Sequence, residues 1–364
     1  MYKEHGSKAL IKKLLVRVRS IFAAPALTAA LLCVFVLITV LALIFWTQRK
    51  PSLFRVGSDS ITILTAPIAA LPPHAHKADI TGVDSVLAPG HGVTVNSAHY
   101  TVPFDMWITG ISLEATNAPR AVLHHLILFR KGYPNSQCPN RDEELYTIGA
   151  DSRPDNAFPA PFGIFVKKGT VIYLNGMVHN PETPRGPGGM YTDVSIGYTL
   201  TYERPSPKRF KPVAFYRLFL YDHERCQDPT VAIRESVDVF TVPAGAKHFV
   251  KSASEEMQNN PARLTFSVPG TVIGTGGHVH EEDGGEKIEI LKDGEVVVTL
   301  TPHHVGTNPW QWEMGRLLPS FKVLPGDSFS VRATYSNPYE FPLEDAMGQG
   351  VLIFSPDDAS LLMR

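Results

Sequence analysis

The chain has 364 residues, with 34 Lys and Arg against 35 Asp and Glu. This near-neutral balance, without a long like-charge run beyond the N-terminus, leaves no footprint for nucleic acid. The 30 prolines and 28 glycines fall between short β-branched and aromatic runs, which predicts an all-β chain with many turns and room for two domains.

In chain order, the first predicted element is a membrane anchor. "ALTAALLCVFVLITVLALIFW", residues 26–46, carries no charge. At about 1.5 Å per residue a helix of this length spans the roughly 30 Å hydrocarbon core. Lys3, Lys8, Lys12, Lys13, Arg17 and Arg19 precede it, and Arg49, Lys50 and Arg55 follow. The positive-inside rule then places residues 1–25 in the cytoplasm and the remainder outside, in a periplasm or on a cell surface. The run is longer than a signal-peptide core, and no small-x-small cleavage pattern follows it.

Residues 47–88 read as a linker. Strand-like runs begin near residue 90: "MWITGISLEA", "AVLHHLILFR", "GIFVKKGTVIYLNGMVH" and "VSIGYTLTYE". The Pro- and Lys/Arg-rich stretch 204–212 marks a joint. A second strand series follows, and "LKDGEV" holds Asp293-Gly294, a two-residue hairpin signal. The predicted architecture is two tandem antiparallel β-sandwich, jelly-roll-like domains, 89–206 and 207–358, after one transmembrane helix. Of three cysteines, Cys33 lies in the anchor. Cys138 and Cys226 lie outside, where either one bridge between the domains or two thiols fits the count.

The 14 histidines are unevenly placed. His124 and His125 are adjacent in an apolar strand, and His179 ends another. His278 and His280 form an H-x-H on a strand, where alternate side chains share a face and both imidazoles can serve one metal ion. Adjacent histidines on a regular strand splay apart. They share an ion only if the strand is bulged, or if one uses Nδ1 and the other Nε2. The pairs His74/His76 and His303/His304 read as linker and surface residues.

These residues sit in stretches that resemble the copper type II, ascorbate-dependent monooxygenases, the family of peptidylglycine α-hydroxylating and dopamine β-monooxygenases. "HYTVPFDMWITGISLEATNAPRAVLHHLILFRKG" and "YLNGMVHNP" resemble its first half; "VDVFTVPAGAKHFV", "GTGGHVHEEDGGEKIEILKDGE" and "VLPGDSFSVRATYSNP…EDAMGQGVLIF" resemble its second. The resemblance implies two coppers per chain. His124, His125 and His179 would hold one in the first domain, and His278, His280 and Met347 the other in the second. Thioether sulfur is soft and favours Cu(I), so the resemblance implies O2 activation at the methionine-bearing site, where His278, His280 and Met347 would be catalytic. Electrons would come from the histidine-only site across a water-filled cleft, with a reductant such as ascorbate. Met314 is the substitute for Met347.

The chain also departs from the family. Thr101, Val102, Lys131 and Gly132 stand at or near cysteine positions, and Gly276 stands where peptide-hydroxylating members carry an arginine that grips a substrate carboxylate. Gln349 and Val351 replace their polar Asn and Tyr. The expected function is therefore a membrane-anchored dicopper monooxygenase that hydroxylates an sp3 C–H bond of a small organic substrate other than a C-terminal glycine peptide. The alternative is a non-catalytic copper carrier on the same scaffold.

Overall fold

A computed structural model describes residues 54–56, 59–71, 87–88, 92–137, 139, 141–149, 155–178, 191–205, 210–220, 239–252, 263–279, 284–304, 312–314 and 320–363. The expected anchor 26–46, both outer cysteines, His74, His76, His179 and His280 lie outside them. Among the described residues no helix is long and apolar enough to cross a membrane.

The described chain is nearly all strand, and the sheets are almost entirely antiparallel. Two sheets enclose a first core. One has eight strands, with Tyr191–Glu203 hydrogen-bonded between Ser60–Leu64 and Met106–Thr116. The other has six, with Leu123–Pro134 between Val171–Val178 and Asp142–Gly149. Inward residues from both, among them Ile108, Ile111, Leu126, Leu128, Ile172, Leu174 and Tyr198, pack together. Among the described residues one pairing is parallel, Phe162–Val166 with Lys211–Pro212.

Two five-stranded sheets enclose a second core. One is ordered Ala214–Phe219, Leu343–Pro356, Gly270–Val279, Phe321–Val323, with Val239–Val242 alongside. The other contains Ser328–Tyr335 between Phe249–Ser252 and Gly285–Lys292, the last joined to Glu295–Leu300. The hairpin predicted at Asp293-Gly294 is present. Both residues have positive φ, 51° and 91°, as the type I′ turn requires. The chain passes from the first core at Val213 to the second at Leu218.

The linker expected over 47–88 is corrected in part. Phe54–Val56, Ser60–Leu64 and Ile68–Leu71 are strands of the eight-stranded sheet. Ile61 and Ile63 are both 0% exposed in the first core. "SITIL" is β-branched and apolar, which favours a pleated surface. Gly197 on the partner strand admits it closely: a Cβ there would clash with the Ile63 carbonyl oxygen.

Candidate metal centre at the seam between the two cores

The strand Leu123–Pro134 is irregular where it matters. His125 pairs with Met177 and Leu123 with Val178, so the histidine strand carries one extra residue there, His124. This bulge lets Leu123 and Leu126 both enter the core, with the two histidines held between them. The rings of His124 and His125 lie 5.3 Å apart, centre to centre, at 56°. Two local features hold this geometry. A Cβ on Gly176 would come within 2.7 Å of the His125 carbonyl oxygen, so glycine permits the close strand approach. The buried Tyr198 hydroxyl donates to the Leu126 carbonyl at 2.5 Å, fixing the backbone beside the pair.

On the other side, His278 pairs with Gln349 and Gly276 with Val351. Gly277 and Val279 face the second core; a Cβ on Gly277 would lie 3.1 Å from Leu300 and from the Met314 sulfur. His278 therefore faces outward. Met347, two residues from Gln349, shares that face. Tyr335 pins Met347, donating its hydroxyl to the Met347 carbonyl at 2.5 Å and accepting the Met347 N–H at 3.2 Å. Met314, the substitute considered from sequence, is 2% exposed inside the second core. His303 and His304 are exposed on a short strand paired with Trp312–Glu313, as expected of surface residues.

The two sides touch. The His124 ring meets the His278 ring edge-on, 5.7 Å between centres at 82°, and His124 is only 4% exposed. The open water expected between the two histidine groups is therefore corrected: at these residues the gap is closed. Apolar contact closes it. Ile273 on Gly270–Val279 and Ile353 on Leu343–Pro356, two strands of a sheet that encloses the second core, join the first core. Phe215 packs edge-on against Tyr146 at 4.7 Å and against Phe158 at 6.3 Å. A polar latch flanks it: Arg217 pairs with Glu144 at 2.8 Å. The Gln137 side chain donates to the Arg217 carbonyl at 2.7 Å and accepts the Arg217 N–H at 2.9 Å.

These spacings suit imidazole ligation pairwise. A ligand nitrogen sits about 2.0 Å from its metal, so two rings on one ion lie about 4.5–6.4 Å apart at their centres. Both observed separations, 5.3 and 5.7 Å, fall in that range. Among the described residues no three His, Cys, Asp or Glu side chains are grouped to hold a metal ion. Each expected trio has one histidine, His179 or His280, outside those residues, and Met347 would be the sulfur donor of the second trio. Imidazole and thioether are donor types suited to copper, and the donors of these types are His124, His125 and His278, whose rings lie 5.3 and 5.7 Å apart, and Met347, which shares the face of His278.

Beside His278 a Cβ on Gly276 would find, among the described residues, one side chain within 4 Å, Val351 at 3.6 Å, so glycine leaves space there next to an apolar side chain. Arg217 lies in the same cross-strand row, opposite Val351, but its guanidinium is engaged by Glu144 and lies over Phe219. Arg217, Tyr198 and Tyr335 were not identified from sequence. Nothing local marks them, because their partners are 72 or more residues away in Tyr198 and Arg217, and the Tyr335 contact depends on strand packing.

No known family's sequence profile matches this chain, and no curated protein does. Among solved structures it is similar to PNGF-II, at 9% identity and TM-score 0.35, covering 80% of this chain and 64% of that one. It is also similar to the major capsid protein P2 of bacteriophage PM2, at 8% identity and TM-score 0.31, covering 79% and 96%. The chain thus spans about 64% of the length of PNGF-II. Likeness this remote carries no functional argument.

Proposed function

We propose that this chain is a copper-dependent monooxygenase, extracytoplasmic and anchored through residues 26–46, built as two tandem jelly-roll-like sandwiches. It would hydroxylate an sp3 C–H bond of a small, largely apolar substrate, using O2 and a one-electron reductant such as ascorbate. The observation that supports this most is the bulge that brings the adjacent His124 and His125 rings to 5.3 Å of each other. In this reading His124, His125 and His179 hold one copper, and His278, His280 and Met347 the other. Copper bound there supplies one-electron redox chemistry, with the thioether favouring Cu(I), the state that reacts with O2.

The chain's own residues do the rest. Tyr335 holds the Met347 backbone in place. The space at Gly276 next to Val351 offers an apolar seat beside His278. The guanidinium of Arg217, which lies in the row of Val351, is engaged by Glu144, so it offers a substrate carboxylate no ready anchor. A second reading, a copper carrier, is favoured by the closed contact between His124 and His278, which suits one shared ion. Copper loading of the full chain, with metal stoichiometry and reductant-dependent O2 uptake, separates the two. Two coppers with substrate-stimulated uptake support the monooxygenase. One copper without uptake supports the carrier, and no stoichiometric copper overturns both.

A further inference from the structure

Five methionines fall among the described residues. Met106 and Met314 are in the two cores, and Met363 is exposed near the C-terminus. Met347 and Met177 belong to neither core; Met347 stands two residues from Gln349, the cross-strand partner of His278. Met177 is the direct cross-strand partner of His125. Its neighbours Gly176 and Val178 are buried against the first core, while Met177 is half-buried on the opposite face. His125 is half-buried in the same way. Directly opposed side chains on one face have Cβ atoms about 4.5–5.5 Å apart. Methionine has three rotatable bonds and a polarizable sulfur, so its thioether can reach a metal bound at the His125 ring.

We propose that Met177 is a copper ligand, a thioether donor to the ion held by His124 and His125. This rests on the copper reading above and alters it: the first site is no longer a histidine-only site. A soft sulfur favours Cu(I) over Cu(II), so both sides of the seam hold reduced copper by preference. Core packing does not account for Met177, since it packs into neither core. The other use of a methionine here, a sulfur contact with the imidazole face, needs no metal and makes a different prediction.

The test uses the full chain with Met347→Leu as background, so that any remaining sulfur signal has another source. X-ray absorption of the Cu(I) form should retain a sulfur shell at about 2.3 Å, the usual metal–sulfur distance. Adding Met177→Leu, a volume-conserving change, should remove it. In the wild-type background Met177→Leu should weaken Cu(I) binding at the His124/His125 site by at least about tenfold in competition with a chromogenic chelator, the size of loss seen when even a supporting group is removed. Unchanged thermal unfolding of the metal-free variant excludes misfolding, and Met177→His, which restores a donor, should recover binding. Loss of the sulfur shell with Met347→Leu alone, or unchanged Cu(I) affinity in Met177→Leu, overturns the proposal while leaving copper binding intact. Absence of copper from the wild-type chain overturns both.

Discussion

The Arg217–Glu144 pair is the sharpest probe of the seam. Its charges meet at 2.8 Å with the side chains 13% and 10% exposed, so both are largely out of water. Arg217→Met keeps the aliphatic bulk and the main-chain bonds to Gln137 but strands the Glu144 carboxylate. Removing one partner of a buried pair costs about 3–5 kcal/mol. The slight residual exposure argues for the lower end, about 3 kcal/mol. Replacing both charges, Arg217→Met with Glu144→Leu, should recover most of the loss, because apolar substitutes for a buried pair are often near neutral. Urea unfolding of the wild type, both single variants and the double variant closes a double-mutant cycle. The expected coupling is at least about 2 kcal/mol. Single losses under about 1 kcal/mol that simply add, as for exposed pairs, would refute a docked seam, and with it the approach of His278 to His124.

Ile61→Ala should destabilise the protein by about 2–5 kcal/mol, the cost of a cavity at a fully buried isoleucine; a linker residue would show almost no change in the same unfolding assay. Burial alone raises the pKa of Glu289, but hydrogen bonds from Arg332 and Lys287 outweigh it and hold the carboxyl below its ordinary range. Its contribution is therefore present above the unfolded carboxylate pKa of about 4.3 and lost as pH falls through the lower folded value. Glu289→Gln should lower stability at neutral pH and flatten the acid limb of a stability–pH curve, and an unchanged acid limb would exclude this role. Met347→Ile should abolish reductant-dependent O2 uptake while copper remains at the His124/His125 site, as read by stoichiometry; unchanged uptake removes Met347 from the centre. Glycine-extended peptides should not be hydroxylated, because Gly276 offers no carboxylate anchor and Arg217 is engaged; useful turnover would contradict the apolar seat.

Much was legible in the sequence. Short β-branched runs between turns dictate strands whatever their partners, and Asp293-Gly294 dictates its hairpin, because both are local preferences of backbone and side chain. The adjacency of His124 and His125 poses a condition, a bulge or the use of Nδ1 by one ring and Nε2 by the other, since a regular strand separates neighbours to opposite faces. Whether the bulge exists was not local: it arises where Met177 and Val178 oppose three residues and Gly176 lets the strands close. "SITIL" reads as linker because, apart from the short neighbouring strand Phe54–Val56, its partner strand Tyr191–Glu203 lies 133 or more positions away. Only the tertiary structure decided that Met177 faces His125, that Met314 is core, and that His124 meets His278. Those outcomes depend on which sheet faces bury against each other, through Ile273, Ile353 and Phe215, and burial of that kind is a property of the assembled layers and not of any one segment.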